Sequence, residues 1–484
     1  MIEAGLFIIP VIVGLIYHEQ ASVRAFLITA VVTAAAGALL RLIKPGKSSI
    51  YAREGFAITG LSWIALSLFG CLPFVISRQI PGFIDAFFET VSGFTTTGSS
   101  ILTDIESLDN AMLFWRSFTH WIGGMGILVF SMIIIPLGGK RSMYILRAEA
   151  PGPSSSKLVP KMRDTAAILY GIYFAMSAVL LVLLLAGGMP LFDCFINVFG
   201  TAGTGGFSNH GASIGHYDNA YFETVIGIFM LLFGVNFNLY YLIFLKRARA
   251  AVRSEELHWY LGIVAFAVIT IAININSLYG SFQQAVRHSF FSVSSIITTT
   301  GFGTMDFDQW PEYSRTLLVL LMFIGACAGS TGGGLKVSRV MLLLRTARRS
   351  MRRMIHSRSV ESIRFDGRIM EEETLTTCLI YLTIYCLVTV ASVVLVSLNN
   401  FPFEVNVTAV IACINNIGPG LGMVGPAGNF ASFSGLSKII LEFDMLAGRL
   451  ELFPVLFLSR SGPGSADRSQ SLSCLAISPI SSHA

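Results

Sequence analysis

The chain has 484 residues, 54% hydrophobic and 13% charged, with a formal net charge of +5. A soluble globular chain carries about twice that charge fraction, and a helix needs roughly 20 apolar residues to cross a bilayer. With a mean hydropathy of +0.69, the composition excludes an ordinary soluble domain and indicates a polytopic membrane protein. The seven cysteines (71, 194, 327, 378, 386, 413 and 474) show no CxxC or Cys/His spacing, so they read as small hydrophobes and not as a zinc or disulfide framework.

In chain order, residues 6–17 lack a basic lead and a small-residue cleavage site, so they read as a first spanning helix and not as a signal peptide. A second helix covers 23–42, and together these form an N-terminal region of residues 1–55. One unit then recurs four times: a long helix, a short helix, a Gly/Thr segment and a second long helix. Unit 1 (56–140) uses 56–77, 84–93 and 120–137. Unit 2 (141–250, with a cytoplasmic lead-in) uses 166–186, 191–200 and 222–245. Unit 3 (251–345) uses 259–275, 282–297 and 315–335. A basic connector (346–372) precedes unit 4 (373–458), which uses 375–398, 402–413 and 433–458. Residues 459–484 are Ser-rich without a helical period and are expected to be disordered. The expected fold is an all-α integral membrane protein: four pseudo-symmetric M1–pore helix–M2 repeats around a central pore, plus two N-terminal transmembrane helices.

The short helices carry this reading. Segments of that length rise about 15–24 Å, too little for a hydrocarbon core of about 30 Å. A segment that enters and returns exposes backbone at membrane depth, which is tolerated only inside protein or beside water. The four short segments align without a gap as FETVSGFTTTG (88–98), FINVFGTAGTG (195–205), FSVSSIITTTG (291–301) and TAVIACINNIG (408–418). Their last three positions are Thr96, Thr97 and Gly98; Gly203, Thr204 and Gly205; Thr299, Thr300 and Gly301; Asn416, Ile417 and Gly418. Small, uncharged residues suit a path in which main-chain carbonyls replace the water around a large monovalent cation. Each short helix also points its partly negative C-terminal end at the same place. Four glycines serving only helix packing have no reason to repeat at one spacing.

Charge gives the orientation. Basic clusters at 41–53, 140–163, 246–253 and 336–368 hold twenty-four Lys and Arg, against five (Arg24, Arg78, Arg116, Arg287 and Arg315) on the opposite loops. The positive-inside rule places the clusters and the N-terminus in the cytoplasm. Each cluster adjoins a spanning segment, which argues against a nucleic-acid surface. The run RTARRSMRR suits a solvated helix face, contact with anionic membrane lipids or partner docking.

The second long helix of unit 3 contains GACAGSTGGGLK (325–336). So many glycines cannot sustain a mid-membrane helix, so a flexible loop is expected beneath the third segment. Its Gly329 to Gly334 gap matches a Walker A motif, but Leu335 stands where Lys is required. Arg449 in unit 4 is costly within a membrane and should face the interior, raising a barrier to cations or pairing with Glu442, Asp444 or Glu451. Asp85 and Asp193 suit the N-terminal ends of their short helices. Glu89, His120 and His288 are expected to hold packing. No catalytic constellation stands out, so the chain is read as no enzyme.

The segments TTTG, TGGF, TTTGFG and NNIGPG, the loop GSTGGGLK and the helix GRLELF resemble the Trk/Ktr/HKT potassium transporter superfamily, and the two extra N-terminal helices are similar to its TrkH members. The resemblance covers about residues 6–458, and the chain departs from the family pattern beyond it. It implies that Gly98, Gly205, Gly301 and Gly418 are filter glycines. It makes Cys327, Ala328, Gly329, Ser330, Thr331, Gly332, Gly333 and Gly334 an intramembrane gate, with Lys336 and Arg449 beside it. It also implies potassium as the transported ion with no organic cofactor, a homodimer with a pore in each subunit, a cytoplasmic nucleotide-binding regulator of TrkA type, and a bacterial inner membrane. Coupling of potassium to proton or sodium movement remains the alternative to channel-like passage.

Overall fold

A computed structural model describes residues 1–42, 52–126, 162–356 and 361–451. In hydrocarbon every backbone polar group must be satisfied internally, so apolar runs become helices. Among the described residues, five helices are long and apolar enough to cross a membrane: Gln20–Leu42, Ala57–Ile76, Ala166–Ala186, Glu255–Leu278 and Glu372–Asn399. Their outward faces carry large apolar side chains such as Val31, Phe174, Phe266 and Leu387. Exposed apolar surface of this extent suits a lipid solvent.

The N-terminal segment differs from the expected single span. Ile2–Leu6 and Ile8–Ile16 are two short helices. Ile8–Ile16 packs, together with Gln20–Leu42, on the second long helix of unit 1, while Ile2–Leu6 packs on Gln20–Leu42. Trp115 anchors this contact. Its ring meets Phe7, Phe26 and Phe94, and its indole N–H donates to the Gly70 carbonyl at 3.0 Å.

The short helices are Phe83–Phe94, Leu191–Gly203, Phe282–Ile297 and Phe403–Ile414. The long helices that precede them are Ala52–Gly70 with Leu72–Ile76, Met162–Ala186, Glu255–Ile275 and Glu372–Val396. The second long helices depart most from expectation. In unit 1 it begins at Asn110, ten residues before the expected 120, and is followed to Gly124. Its polar residues Arg116 and His120 interrupt the hydropathy, but the helix is buried almost all round, so no lipid-facing apolar stripe announces it. Its expected course to 137 lies outside the described residues, as do the region 459–484 and the last residues of the fourth unit.

In unit 2 the expected single helix 222–245 is two, Ala220–Phe233 and Phe237–Phe244, bent by 89°. Gly234 weakens the helix there and the Asn236 side chain caps the new start by accepting from the Asn238 amide. In unit 3 the span 315–335 is interrupted where its glycines foretold a loop: the helix stops at Ile324 and resumes at Val337. The basic connector therefore begins within the helix Val337–Ile355 and goes on to a small hairpin pairing Arg364–Phe365 with Arg368–Ile369. Four arginines of that helix are paired: Arg339 with Glu451, Arg345 with Glu255, Arg349 with Glu372 and Arg352 with Glu361.

The units close on one another. The second long helix of each packs on the short helix of the next, and that of unit 4 packs on the short helix of unit 1. Polar ties follow the same order. Arg116 donates to the Ser208 carbonyl at 2.9 Å. Glu223 pairs with Arg287, Arg315 with Glu404, and Lys438 with Asp85 at 2.5 Å.

Candidate functional site

Each short helix ends in the same turn. The backbone becomes left-handed at Thr96, Thr204, Thr299 and Asn416, with φ of 55°, 54°, 58° and 54°. The next amide reaches back five residues: Thr97 to Ser92, Gly205 to Gly200, Thr300 to Ser295 and Ile417 to Ala412, at 2.8–2.9 Å. This is the Schellman closure, which usually places Gly at the left-handed position. Threonine is β-branched, and holding it there costs on the order of 1–3 kcal/mol. Three such threonines persist because the surrounding packing leaves them no alternative, and all are buried.

Two residues later comes a glycine with φ of 80–99°: Gly98, Gly206, Gly301 and Gly418. Here the structure corrects the gapless alignment. In unit 2 the residue equivalent to Gly98 is Gly206, not Gly205, and Gly203 closes the helix where Thr95, Thr298 and Asn415 stand in the others. A sequence signal for this shift exists. Asp85 and Asp193 both take the third position of their helices, and thirteen residues on from each stand Gly98 and Gly206.

The glycines join the segments into a ring. A Cβ at Gly98 would collide with the Gly205 carbonyl oxygen, at Gly206 with that of Thr300, and at Gly301 with that of Ile417. At Gly418 it would sit 2.9 Å from the Thr97 oxygen. Each glycine thus lies against the main-chain carbonyl of the following segment, and the fourth returns to the first. The threonine hydroxyls at positions 95 and 298 donate to the Val91 and Ser294 carbonyls at 2.7 and 2.6 Å. Asn416 ties the ends together, its amide donating to Thr97 Oγ1 and the Met445 carbonyl, both at 2.9 Å.

A cavity of about 380 Å³ opens on one side of the ring, lined by all four glycines and by Glu106, Arg116 and His210. Glu89, expected to hold packing, is buried and paired with Arg116 at 2.5 Å. It also accepts from the Ile101 amide at 2.9 Å, fixing the chain just past the first turn. His120 lies buried against the second segment, its Nδ1 2.7 Å from the Gly93 carbonyl oxygen.

Residues 325–336 lie at the other end of the ring. The Gly333 amide donates to Thr299 Oγ1 at 2.6 Å, and Cβ atoms at Gly332 and Gly333 would press on the Thr298 and Asn415 carbonyls. The loop fills the break in unit 2: the Cys327 amide donates to the Gly234 carbonyl, and the Phe237 amide to that of Gly329, each at 3.0 Å. Glu256 accepts from the Ala328 amide at 2.7 Å and the Ser338 amide at 3.2 Å; sequence reading passed over this acid at the start of an apolar helix. Lys336 donates to the Gly332 carbonyl. Arg449 donates to the Thr331 carbonyl at 2.8 Å and to the carbonyls of Gly123 and Gly124, so one guanidinium joins units 1, 3 and 4. Of the acids weighed as its partners, Glu451 pairs with Arg339 at 2.6 Å and Asp444 accepts from Ser392 at 2.7 Å.

Spanning helices around a closed ring of main-chain turns define a membrane transport protein. The family model of TrkH, a cation transport protein, matches residues 20–464. The chain is 38% identical over 461 residues to the Trk system potassium uptake protein TrkH of Salmonella typhimurium, covering 94% of this chain and 95% of that one. It is 33% identical to TrkG of Escherichia coli, with 93% of each covered. The crystal structure of the potassium transporter TrkH from Vibrio parahaemolyticus superposes with a TM-score of 0.85 at 32% identity, over 95% of this chain and 96% of that one. The chain belongs to the TrkH family.

Proposed function

We propose that this chain carries potassium across a bacterial inner membrane, as the uptake subunit of a Trk-type system, through the ring of four turns. The observation that carries the reading is the closed cycle of glycines against carbonyls. Stripping water from a cation costs on the order of tens of kcal/mol, and an inward-facing ring of carbonyl oxygens offsets that cost. The threonine side chains that bond to helix carbonyls leave the segment's own carbonyls as acceptors. In this reading the selectivity filter is Thr96, Thr97 and Gly98; Thr204, Gly205 and Gly206; Thr299, Thr300 and Gly301; and Asn416, Ile417 and Gly418.

The loop at 327–334, with Lys336 and Arg449, acts as the gate. Its positive charges and its packing on the inner end of the ring raise a barrier that must shift for ions to pass. The N-terminus and the basic helix Val337–Ile355 face the cytoplasm, where arginines of that helix contact lipid headgroups and a TrkA-type nucleotide-binding regulator. Two such chains pair, each with its own pore.

The test is the reversal potential of the purified protein in lipid bilayers under opposed potassium and sodium gradients. A potential that follows the potassium gradient supports the reading; one that shifts with an imposed proton gradient favours coupled transport; absence of cation flux rejects both.

A further inference from the structure

The mouth of the cavity carries ligand chemistry unrelated to the ring. Glu106 lies in the loop after the first turn, and His210 and His216 lie in the loop after the second. One ligand atom from each falls within 4.8 Å of the others. His210 Nδ1 is 3.4 Å from Glu106 Oε1, and the two imidazoles lie parallel with centroids 3.6 Å apart. Behind them, His210 Nε2 lies 3.3 Å from Asn209 Nδ2 and 3.6 Å from Asp193 Oδ2, just beyond hydrogen-bond reach of the carboxylate. Asp193 is itself fixed, accepting from Asn209 Nδ2 at 2.7 Å and from the Tyr217 hydroxyl at 2.8 Å. A carboxylate that accepts the far N–H of an imidazole orients metal-binding histidines, a role open to Asp193 once the His210 ring turns its Nε2 onto it.

We propose that Glu106, His210 and His216 bind a zinc ion, or a divalent cation of similar softness, at the entrance to the cavity. Zinc takes imidazole nitrogens and a carboxylate oxygen at about 2.0–2.2 Å and completes its shell with water. Closing the three ligands to that distance requires the two imidazoles to turn out of their parallel stack so that one nitrogen of each faces the ion. Glu106 and His216 are exposed and have room to move. Two imidazoles select zinc, copper or nickel over magnesium or calcium, which prefer oxygen. Because Glu106 and His210 also line the cavity, the bound ion neutralises an acid there and adds positive charge where potassium would enter. External zinc therefore slows uptake, a consequence that rests on the conduction reading above, whereas the binding does not.

Two measurements test it on the full-length, untagged protein. Calorimetric titration with zinc chloride in detergent is expected to show a site whose affinity falls about tenfold or more in His216→Ala and again in His216→Asn, with the size-exclusion profile unchanged. Rubidium uptake into proteoliposomes is expected to fall with external zinc and not with magnesium. His216→Ala is expected to keep its zinc-free uptake and lose the sensitivity. Zinc affinity unchanged in both variants overturns the site. Equal inhibition by magnesium overturns it too, pointing to surface charge. Binding that depends on His216 without any effect on uptake upholds the site and overturns its placement on the ion path.

Discussion

The one-residue shift in unit 2 gives a sharp test, because Gly205 and Gly206 answer differently to the same substitution. At Gly206, alanine must adopt φ of 80°, costing about 1–2 kcal/mol, and its Cβ overlaps the Thr300 carbonyl oxygen. Backbone cannot rotate away as a side chain can, so forcing this methyl in adds about 1–3 kcal/mol of overpacking. Together these give about 2–5 kcal/mol, relieved only by turning the Thr300 carbonyl out of line. At Gly205 the backbone is unstrained, and the added methyl meets the His120 ring, a side chain that can be shortened. We expect Gly206→Ala to lower potassium-over-sodium preference by at least about tenfold, which corresponds to about 1.4 kcal/mol, with no recovery on adding His120→Ala. Gly205→Ala should be rescued, at least in part, by His120→Ala. The assay is reversal potential in mixed potassium and sodium solutions, with expression and thermal stability as controls. Undiminished selectivity in Gly206→Ala, together with a loss in Gly205→Ala that His120→Ala does not repair, would refute the corrected register.

Three further perturbations address the loop and the outer ties. Arg449→Ala removes the bonds to the Thr331, Gly123 and Gly124 carbonyls and is expected to raise rubidium uptake; reduced uptake at normal expression would mean that the loop supports conduction. Glu256→Ala deprives the Ala328 and Ser338 amides of their acceptor. Losing a charge-assisted bond worth ~1.5–3 kcal/mol should speed hydrogen exchange across residues 326–338 by about tenfold or more, and unchanged protection would count against this clamp. Arg116→Met strands the buried Glu89 carboxylate and should destabilise the protein by ~3–5 kcal/mol. Adding Glu89→Gln should recover part of the lost thermal stability, and an additive further loss would deny the pairing its role.

Much of the architecture is legible in local patterns. Five spanning helices announce themselves because lipid demands a long apolar run. The short helices do so because segments of ten to sixteen residues cannot cross the membrane. The Gly/Thr ends at 95–98 and 298–301 are legible because the same turn is spelled with nearly the same letters. Helix Asn110–Gly124 was harder to read, since Arg116 and His120 find their partners in other segments and so look out of place in an apolar helix. The break at Gly234–Asn236 was equally hidden: nothing local in 222–245 reveals that residues 327–329 of another unit supply the bonds that fill it.

The sequence by itself determined that this is a membrane protein of four like units, because hydrophobic length and the identity of turn-forming residues are properties of a stretch of chain. Tertiary structure alone decided that Gly206 and not Gly205 stands beside the Thr300 carbonyl, and that Arg449 reaches Gly124, 325 positions away. Those relations depend on how a helix is seated against its neighbours. A displacement of one residue leaves composition and spacing almost unchanged, yet it turns the backbone by about 100° around the helix axis, and only packing senses that rotation.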